Sequence, residues 1–310
     1  MKTKLPSVTV AVCALNEADN IGNFIQSVLN QKQYSYTLQK FLIISDGSTD
    51  ETGDIVRSFN SPLIEFIEYK QRIGKSSHLN EIYSKLSTDI LVQSDADVIF
   101  AHENVIADLI RPLVNDKRVG MCGGRPMATS GKTFVEKAIN YTFEVYDQMR
   151  PLINNGNNTL SVDGRLLAYR KELIKHIVVP SDMIANDAFT YFCCLTKGYE
   201  YRYVSTAVVT FRSPQNVRDQ IKQNTRFLAA PIRMSKYFDK NLVKREDHVP
   251  RWLFYKFSFL QFLKHPVYCS YIKLINIYCK FRAGSAEKIL NAKWPMAHTT
   301  KNIYSYKEII

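Results

Sequence analysis

Short apolar runs alternate with amphipathic segments through the first half of the chain, and no other feature restricts its fold as strongly. Runs of this length are typical of strands buried on both faces of a sheet; they span residues 8–14, 41–45, 63–69, 90–94 and 119–122. The segments between them have helical spacing, and we expect helices from about residue 20, from about residue 50, and over 75–86 and 104–114. Asp19 or Asn20 is the predicted N-cap of the first helix.

This order of elements predicts an α/β fold with a mostly parallel sheet and helices on both faces. Ligands of such sheets bind outside the carboxyl ends of the strands, so the pattern also predicts where a site lies. An amphipathic segment at 134–149 and a polar loop at 154–158 then precede a second α/β stretch that ends near residue 211. We expect one large domain over residues 1–245 and a distinct C-terminal region over 246–310.

The positive charge of the chain is concentrated in its last third. Residues 1–211 contain 22 Lys and Arg against 23 Asp and Glu, whereas residues 212–310 contain 19 against 6. Such an asymmetry indicates an anionic partner for the C-terminal part. A phosphate-rich substrate, a membrane surface and a nucleic acid all fit this charge.

Residues 251–264 are dense in aromatic and aliphatic side chains, with lysines among them, and a proline follows at position 266. A membrane-spanning helix needs about 20 apolar residues, so this run is too short and too often interrupted to be one. With a second aromatic and basic stretch at 268–282, it predicts two helices that lie flat on an anionic membrane. The alternative is that these aromatic residues pack onto the rest of the chain or onto a second subunit.

The N-terminus lacks the apolar segment and cleavage site of a secretory signal. The cysteines have no metal-ligand spacing, and most lie in apolar runs, where a free cysteine behaves as a small hydrophobic residue. Both observations predict a reduced, cytoplasmic location. The cysteines are Cys13, Cys122, Cys193, Cys194, Cys269 and Cys279.

Acidic residues follow two of the predicted strands directly. Asp46 comes after the second strand, and Asp95 and Asp97 come after the fourth. Two carboxylates at one strand end repel each other unless a cation lies between them, and hard oxygen ligands suit Mg²⁺ or Mn²⁺. The alternative is that these acids only cap a loop and the helix that follows it.

Several motifs occur in a fixed order along the chain. They span residues 14–17, 46–50, 74–80, 95–97, 164–170, 186–187 and 223–227. In this order and spacing they resemble the motifs of family 2 glycosyltransferases, over roughly residues 8–227. The resemblance implies a GT-A fold for the large domain and transfer of a sugar from a nucleotide diphosphate.

The resemblance also implies a role for each matching position. Asp46 would accept a hydrogen bond from the uracil imide of a UDP-sugar. Asp95 would contact the ribose or the metal, and Asp97 would be the main metal ligand. Arg226 would clamp the diphosphate with two hydrogen bonds. Lys75 would meet the base, the ribose or a phosphate; the alternative is a solvated lysine at a helix start. The predicted donor-binding residues are Ala14, Asn16, Glu17, Asp46, Lys75, Asp95, Gln223 and Arg226.

Asp187 matches the family's general base, which would deprotonate the acceptor hydroxyl as it attacks. Attack in line with the departing nucleoside diphosphate would invert the sugar carbon. The alternative is that Asp187 caps a helix. Gly164, Arg165 and Phe227 are the predicted acceptor-binding residues.

Two positions differ from the family pattern. Asn186 stands where an acid is usual, and Phe227 replaces the tryptophan with which processive synthases stack on the acceptor. The missing tryptophan favours non-processive transfer. We expect a hexosyl- or N-acetylhexosaminyltransferase of polysaccharide biosynthesis, at the inner face of the membrane, with a glycan or lipid-linked acceptor. The remaining alternatives are a nucleotide-sugar-binding protein without turnover and a nucleic-acid-binding module that uses the basic C-terminal part.

Overall fold

The computed structural model describes residues 5–291, 293 and 298–300, so residues 301–310 of the predicted C-terminal region lie outside it. Its strands are β1 (Ser7–Ala14), β2 (Thr37–Asp46), β3 (Ile64–Tyr69), β4 (Ile90–Asp95), β5 (Val98–Phe100), β6 (Val119–Ala128), β7 (Leu166–Arg170) and β8 (Glu200–Phe211). Its helices are α1 (Ala18–Leu29), α2 (Thr52–Ser58), α3 (Lys75–Lys85), α4 (Val105–Asn115), α5 (Phe134–Met149), α6 (Lys171–Ile174), α7 (Asn186–Thr196), α8 (Val217–Met234), α9 (Lys240–Glu246), α10 (Arg251–Lys264) and α11 (Pro266–Ile289).

The strands form one mixed sheet in the order β3-β2-β1-β4-β7-β6-β8-β5. The first four of these are parallel, as expected, whereas β7 runs antiparallel to both β4 and β6, and β5 runs antiparallel to β8. The α/β class is therefore confirmed, but the sheet is less parallel than the sequence predicts. Apolar patterns report burial and not direction, which depends on the connections between strands.

Both faces of the sheet are covered. Along β1, Val8, Val10 and Val12 point into a core shared with α1 and α4, and Ala11 points into a core shared with α3 and α7. This burial on both faces explains why the strands read as continuous apolar runs. It also leaves the ends of the strands as the place for polar chemistry.

The helix ends agree with the sequence in one case and differ in another. The predicted amphipathic segment is α5, which begins with a reciprocal capping box between Thr133 and Glu136. The prediction that Asp19 or Asn20 caps α1 is wrong, because Glu17 occupies that position. The Glu17 carbonyl accepts from the backbone N–H of Asn20 and of Ile21, at 2.9 and 2.8 Å, so the first turn closes earlier.

The C-terminal region is helical, and part of it packs onto the sheet domain. Leu253 and Phe257 of α10 are buried against Met149 at the end of α5. In α11, Glu287 forms a buried ion pair with Arg233 of α8. Among the described helices, none combines the length and the apolar character needed to cross a membrane.

Candidate active site

A cleft of about 510 Å³ opens where β1, β2 and β4 end. It contains nearly all of the site residues predicted from the sequence: Ala14, Glu17, Asp46, Lys75, Asp95, Asp97, Gly164, Arg165, Asp187, Gln223, Arg226 and Phe227. Residues that the sequence did not single out complete its walls, among them Arg72, Tyr146, Arg150, Asp163 and Lys222. The strand-end rule therefore located the cleft correctly.

Asn16 belongs to the loop that shapes the cleft. Its backbone N–H donates to Ser48 Oγ at 3.0 Å, and its side-chain oxygen accepts from the Thr49 N–H at 2.8 Å. Its φ of +53° lies in the left-handed region, which asparagine tolerates better than most residues. Asn16 thus ties the loop after β1 to the loop after β2.

Asp46 ends β2 and is almost fully buried. One carboxylate oxygen accepts from the Ile73 N–H at 2.7 Å and lies 2.8 Å from His78 Nε2, and the Gly74 N–H donates at 3.1 Å to the other. Burial alone would raise the pKa of Asp46, but hydrogen bonds from His78, Ile73 and Gly74 hold it below its ordinary value. Asp46 is therefore a fixed, ionised hydrogen-bond acceptor.

The chain leaves this strand through Gly47, which has a φ of +76°. A Cβ atom there would lie 2.7 Å from the backbone nitrogen of Arg72, so only glycine fits this turn. The close approach brings Arg72 to the cleft, with its Nε 3.9 Å from Asp46 Oδ2. The sequence gives no signal for Arg72, and it places His78 inside the motif at 74–80 without indicating that His78 contacts Asp46, because both contacts depend on the approach of the segment after β3 to β2.

Lys75 begins α3 and reaches across the cleft to the carboxylate of Asp95, with which it forms an ion pair. Burial opposes the charge on Lys75, but Asp95 outweighs it and holds the pKa of Lys75 above its ordinary value. The interpretation of Lys75 as a solvated lysine at a helix start does not fit, because only 24% of its side chain is exposed.

Asp97 lies in the two-residue connection between β4 and β5, and it borders the cleft together with Asp95. Within the described part of the chain, no three His, Cys, Asp or Glu side chains cluster closely enough to hold a metal ion by themselves. The lysine ammonium beside Asp95 nevertheless shows that this carboxylate accepts a cation. Two carboxylates suit a hard cation whose remaining ligands are water and substrate phosphate.

Asp187 lies in the first turn of α7, and the N-cap position belongs to Ala185. The backbone N–H groups of Ala188 and Gly164 donate to its two oxygens at 2.9 and 3.2 Å. A Cβ on Gly164 would lie 3.6 Å from Asp187 and 3.8 Å from Asp95, so both carboxylates border the same point. Burial raises the pKa of Asp187, and the nearby Asp163 raises it further.

Asn186, the residue before this acid, is buried at the wall of the cleft. Its side-chain oxygen accepts from Ser76 Oγ at 3.1 Å, which links α7 to α3. Its amide nitrogen has no hydrogen-bond partner among the described residues. An asparagine can therefore keep the structural contact with Ser76 without adding another negative charge beside Asp187.

The guanidinium groups at the cleft have different surroundings. Arg226 of α8 donates to the Ile184 carbonyl at 3.1 Å and lies 5.1 Å from the ring centre of Phe227. Burial lowers the pKa of Arg226. Arg165 lies 3.7 Å over the ring of Phe211 and pairs with Asp163 at 2.8 Å. The Phe227 ring remains 47% exposed.

The sequence that forms this cleft matches a known protein family. Residues 9–178 match the family model described as Glycosyl transferase family 2. The chain belongs to this family. The sequence-based resemblance to family 2 glycosyltransferases is thereby confirmed.

Curated members of family 2 align with most of this chain. It is 25% identical over 230 residues to poly-β-1,6-N-acetyl-D-glucosamine synthase of Staphylococcus aureus, covering 72% of this chain and 54% of the relative. It is also 25% identical over 236 residues to the probable glycosyltransferase YdaM of Bacillus subtilis, covering 72% and 55%. The chain thus spans about half the length of the curated relatives it matches.

Solved structures confirm the GT-A fold expected for a family 2 chain. The mannosyltransferase PcManGT of Pyrobaculum calidifontis, in complex with GDP-Man and Mn²⁺, superposes with a TM-score of 0.62 at 20% identity, covering 92% of this chain and 74% of the other. Glucosyl-3-phosphoglycerate synthase of Mycobacterium tuberculosis, with Mn²⁺, UDP and phosphoglyceric acid, superposes with a TM-score of 0.52 at 17% identity, covering 73% and 78%.

Proposed function

We propose that this glycosyltransferase moves a sugar from a UDP-sugar to a hydroxyl of its acceptor, with inversion at the transferred carbon. One observation carries the proposal: Asp46, Asp95, Asp187 and Arg226 border a single cleft at the strand ends. A base-recognising acid, a metal-binding acid, a proton acceptor and an anion-binding group are the parts that such a transfer requires.

Asp46 is the group that selects the nucleobase. Its backbone and His78 contacts keep it ionised and immobile, so a buried imide N–H is a suitable partner for its remaining lone pairs. Uracil has this N–H at the matching position and cytosine does not. The M. tuberculosis synthase was solved with UDP, and PcManGT with GDP-Man, whose guanine also has a ring N–H.

Asp97 and Asp95 would hold Mg²⁺ or Mn²⁺ together with the diphosphate of the donor. Both carboxylates border the cleft, and Lys75 already compensates the charge of one of them. When bound, the cation neutralises charge that develops on the departing nucleoside diphosphate. Arg226 and Lys75 supply the cationic side chains of the protein itself at the same place.

Asp187 is the proposed general base. Its pKa is raised above that of an ordinary carboxyl and is therefore closer to neutral pH, which favours proton acceptance from a hydroxyl during attack. Positioned proton transfer of this kind typically contributes ~10²–10⁴-fold to the rate. Attack from the side opposite the diphosphate inverts the sugar carbon.

The acceptor would lie against Gly164, Arg165 and Phe227, which line the cleft. The exposed ring of Phe227 offers a smaller stacking surface than tryptophan, which favours transfer of one or a few sugars over processive synthesis. The sugar is a hexose or an N-acetylhexosamine, the latter being named in the S. aureus relative.

We place the enzyme on the inner face of a membrane. The helices α10 and α11 expose many aromatic and aliphatic side chains, namely Trp252, Phe254, Tyr255, Phe259, Leu263, Val267, Leu274, Tyr278 and Phe281. Lys256, Lys264, Lys273 and Lys280 are exposed on the same two helices. Aromatic rings at headgroup level with lysines beside them suit an anionic interface.

Metal-dependent donor binding tests this function directly. We expect Mn²⁺ together with UDP or a UDP-sugar to raise the melting temperature, and the Asp97→Ala variant to melt normally but lose this shift and all transfer. Glu103→Ala removes an exposed acid far from the cleft and serves as the control. Full transfer in excess chelator would contradict the metal assignment, and binding without transfer or hydrolysis would favour the protein without turnover.

A further inference from the structure

A second cavity, of about 580 Å³, lies between α8 and α11. Its apolar walls come from Val217 and Ile221 on α8 and from Ala286 and Leu290 at the end of α11. The surface between these helices is therefore hydrophobic in a part of the chain that is otherwise rich in positive charge. An apolar chain fits such walls better than a polar ligand does.

Four cationic side chains surround these walls. Arg218, Lys222 and Arg226 follow one another at intervals of four residues, which places them on one face of α8, and Arg282 faces them from α11. No carboxylate is among the described residues that line the cavity. Part of this charge is compensated from outside the cavity, because Lys222 pairs with Asp219 at 2.9 Å and the carboxylates of Asp187 and Asp95 act on Arg226. The cavity therefore suits an anionic group at the edge of an apolar one.

Thr225 provides an independent sign of a ligand. It lines the same cavity and is 7% exposed, yet its hydroxyl has no hydrogen-bond partner among the described residues. Buried hydroxyl groups are normally paired, with protein or with another molecule. Because this oxygen is also closed to solvent, a ligand oxygen in the cavity would become its partner once the Thr225 side chain rotates.

The cavity adjoins the catalytic cleft, because Lys222 and Arg226 line both. We propose that the α8–α11 cavity binds the acceptor, and that this acceptor is an amphiphile with an apolar chain, a phosphate-type anion and a hydroxyl-bearing head. This inference rests on the proposed transferase function and specifies its acceptor. In this arrangement the apolar chain of the acceptor lies between Ile221 and Ala286. The anionic group of the acceptor lies among the arginines, and its hydroxyl-bearing head reaches the cleft.

The transfer step balances with the groups already described. The acceptor hydroxyl oxygen forms a bond to the sugar carbon, while the bond from that carbon to the donor phosphate oxygen breaks. The nucleoside diphosphate leaves with the electron pair, and Asp187 takes the hydroxyl proton. No oxidant or further reactant is needed.

Dodecyl phosphate, used below its micelle concentration, is the probe for this site. Calorimetry with the full chain should show at least tenfold tighter binding of dodecyl phosphate than of inorganic phosphate or dodecyl maltoside. Arg282→Gln, which removes one cation, and Ala286→Trp, which fills the cavity, should each weaken binding by tenfold or more. Thr225→Val should weaken it severalfold.

Two matched variants separate the cavity from other surfaces. Arg111→Gln removes an exposed arginine on α4 and should leave dodecyl phosphate binding unchanged. Phe281→Ser alters the residue beside Arg282 that is 85% exposed, so unchanged binding distinguishes the cavity from adsorption at a lipid surface. Each variant is first checked for Mn²⁺-dependent UDP binding, which reports an intact fold and cleft.

Three results would overturn the assignment. If dodecyl maltoside binds as tightly as dodecyl phosphate, the anion is not recognised. If dodecyl phosphate binds the Arg282 and Ala286 variants as tightly as the unaltered protein, the amphiphile binds elsewhere. Normal UDP binding without any dodecyl phosphate binding would refute the acceptor site while leaving the transferase function standing. If the unaltered protein does not bind UDP, the transferase function itself is refuted.

Discussion

Asp187 combines a half-buried carboxylate with two backbone hydrogen bonds, at the point where α7 meets the cleft. Burial and Asp163 raise its pKa in the folded protein. A carboxyl whose pKa is raised by folding favours the fold while protonated, and it costs stability as the pH rises through that folded value. The residue is therefore kept at some expense to stability, as catalytic groups often are.

Asp187→Asn should separate these two effects. It keeps the size of the side chain, removes the proton acceptor and leaves no buried charge, so kcat should fall roughly 10²-fold or more. The melting temperature of chelator-treated protein at pH 7 should stay equal or rise, and the difference should shrink at lower pH. Steady-state kinetics and thermal melts measure both. A collapse of donor affinity with an unchanged rate on bound donor would instead make Asp187 a donor-binding residue.

The proposed role of Asp46 predicts a selectivity among nucleotides. Losing one buried hydrogen bond costs about 1–3 kcal/mol, so UDP should compete roughly 5- to 150-fold better than CDP for the donor site. Competition of each nucleotide against a bound UDP-sugar measures the ratio. Equal inhibition by UDP and CDP would remove the basis for a UDP donor, and stronger inhibition by GDP would reassign the base.

The site residues found from the sequence are those whose position follows from a strand end or a motif. Asp46 and Asp95 end strands and Asp97 follows one by two residues, so the sheet alone brings them to one edge. His78 and Arg72 contact Asp46 through the fold of the segment after β3, and neither the motif that contains His78 nor any other local pattern predicts these contacts.

At the scale of the helices, the sequence identified a basic, aromatic C-terminal part but not how it divides. Leu253 and Phe257 of α10 are core residues, whereas Trp252 and Phe259 on the same helix are mostly exposed. Helical spacing could not separate these faces, because aromatic residues surround the whole helix. The two readings of this region, as core and as surface, thus apply to different faces of one helix.

Vesicle flotation tests the exposed face. The protein should float with anionic liposomes at low salt and less with neutral ones, because basic residues near the surface each add about 1 kcal/mol of attraction. The double variant Trp252→Ser with Phe281→Ser should stay largely in the soluble fraction without loss of stability. Val114→Ser, at an exposed position on α4, is the matched control. Equal flotation of all three proteins would show that this face does not bind membrane.

At the scale of the molecule, α11 contributes to the same folded unit as the sheet. Arg233 of α8 pairs with Glu287 and also donates to the carbonyls of Asp182 and Leu290, so residues more than fifty positions apart meet at one buried charge. The predicted boundary near residue 245 remains a prediction. These contacts nevertheless argue against deleting the C-terminal part as a way to test its surface.

Glu287→Ala tests this connection. It removes one of the two carboxylates that pair with the buried Arg233 and leaves Asp182 at 3.1 Å, so the cost should be up to about 3–5 kcal/mol, the value for a buried charge that loses its partner. Denaturant unfolding should show a loss of this size, whereas Glu103→Ala, which breaks an exposed pair with Lys32, should cost about 1 kcal/mol or less. Similar small losses in both variants would mean that α11 adds little to the stability of the sheet domain.

The ammonium group of Lys75 neutralises Asp95 before any substrate arrives. A divalent ion alone must compete with this lysine for the carboxylate, whereas a donor diphosphate gives the lysine another anion to contact. Metal and nucleotide should therefore bind cooperatively, each raising the affinity of the other by the same factor. The protein would then hold its cation firmly only while it holds a nucleoside diphosphate, and after sugar transfer it would release the cation together with that product.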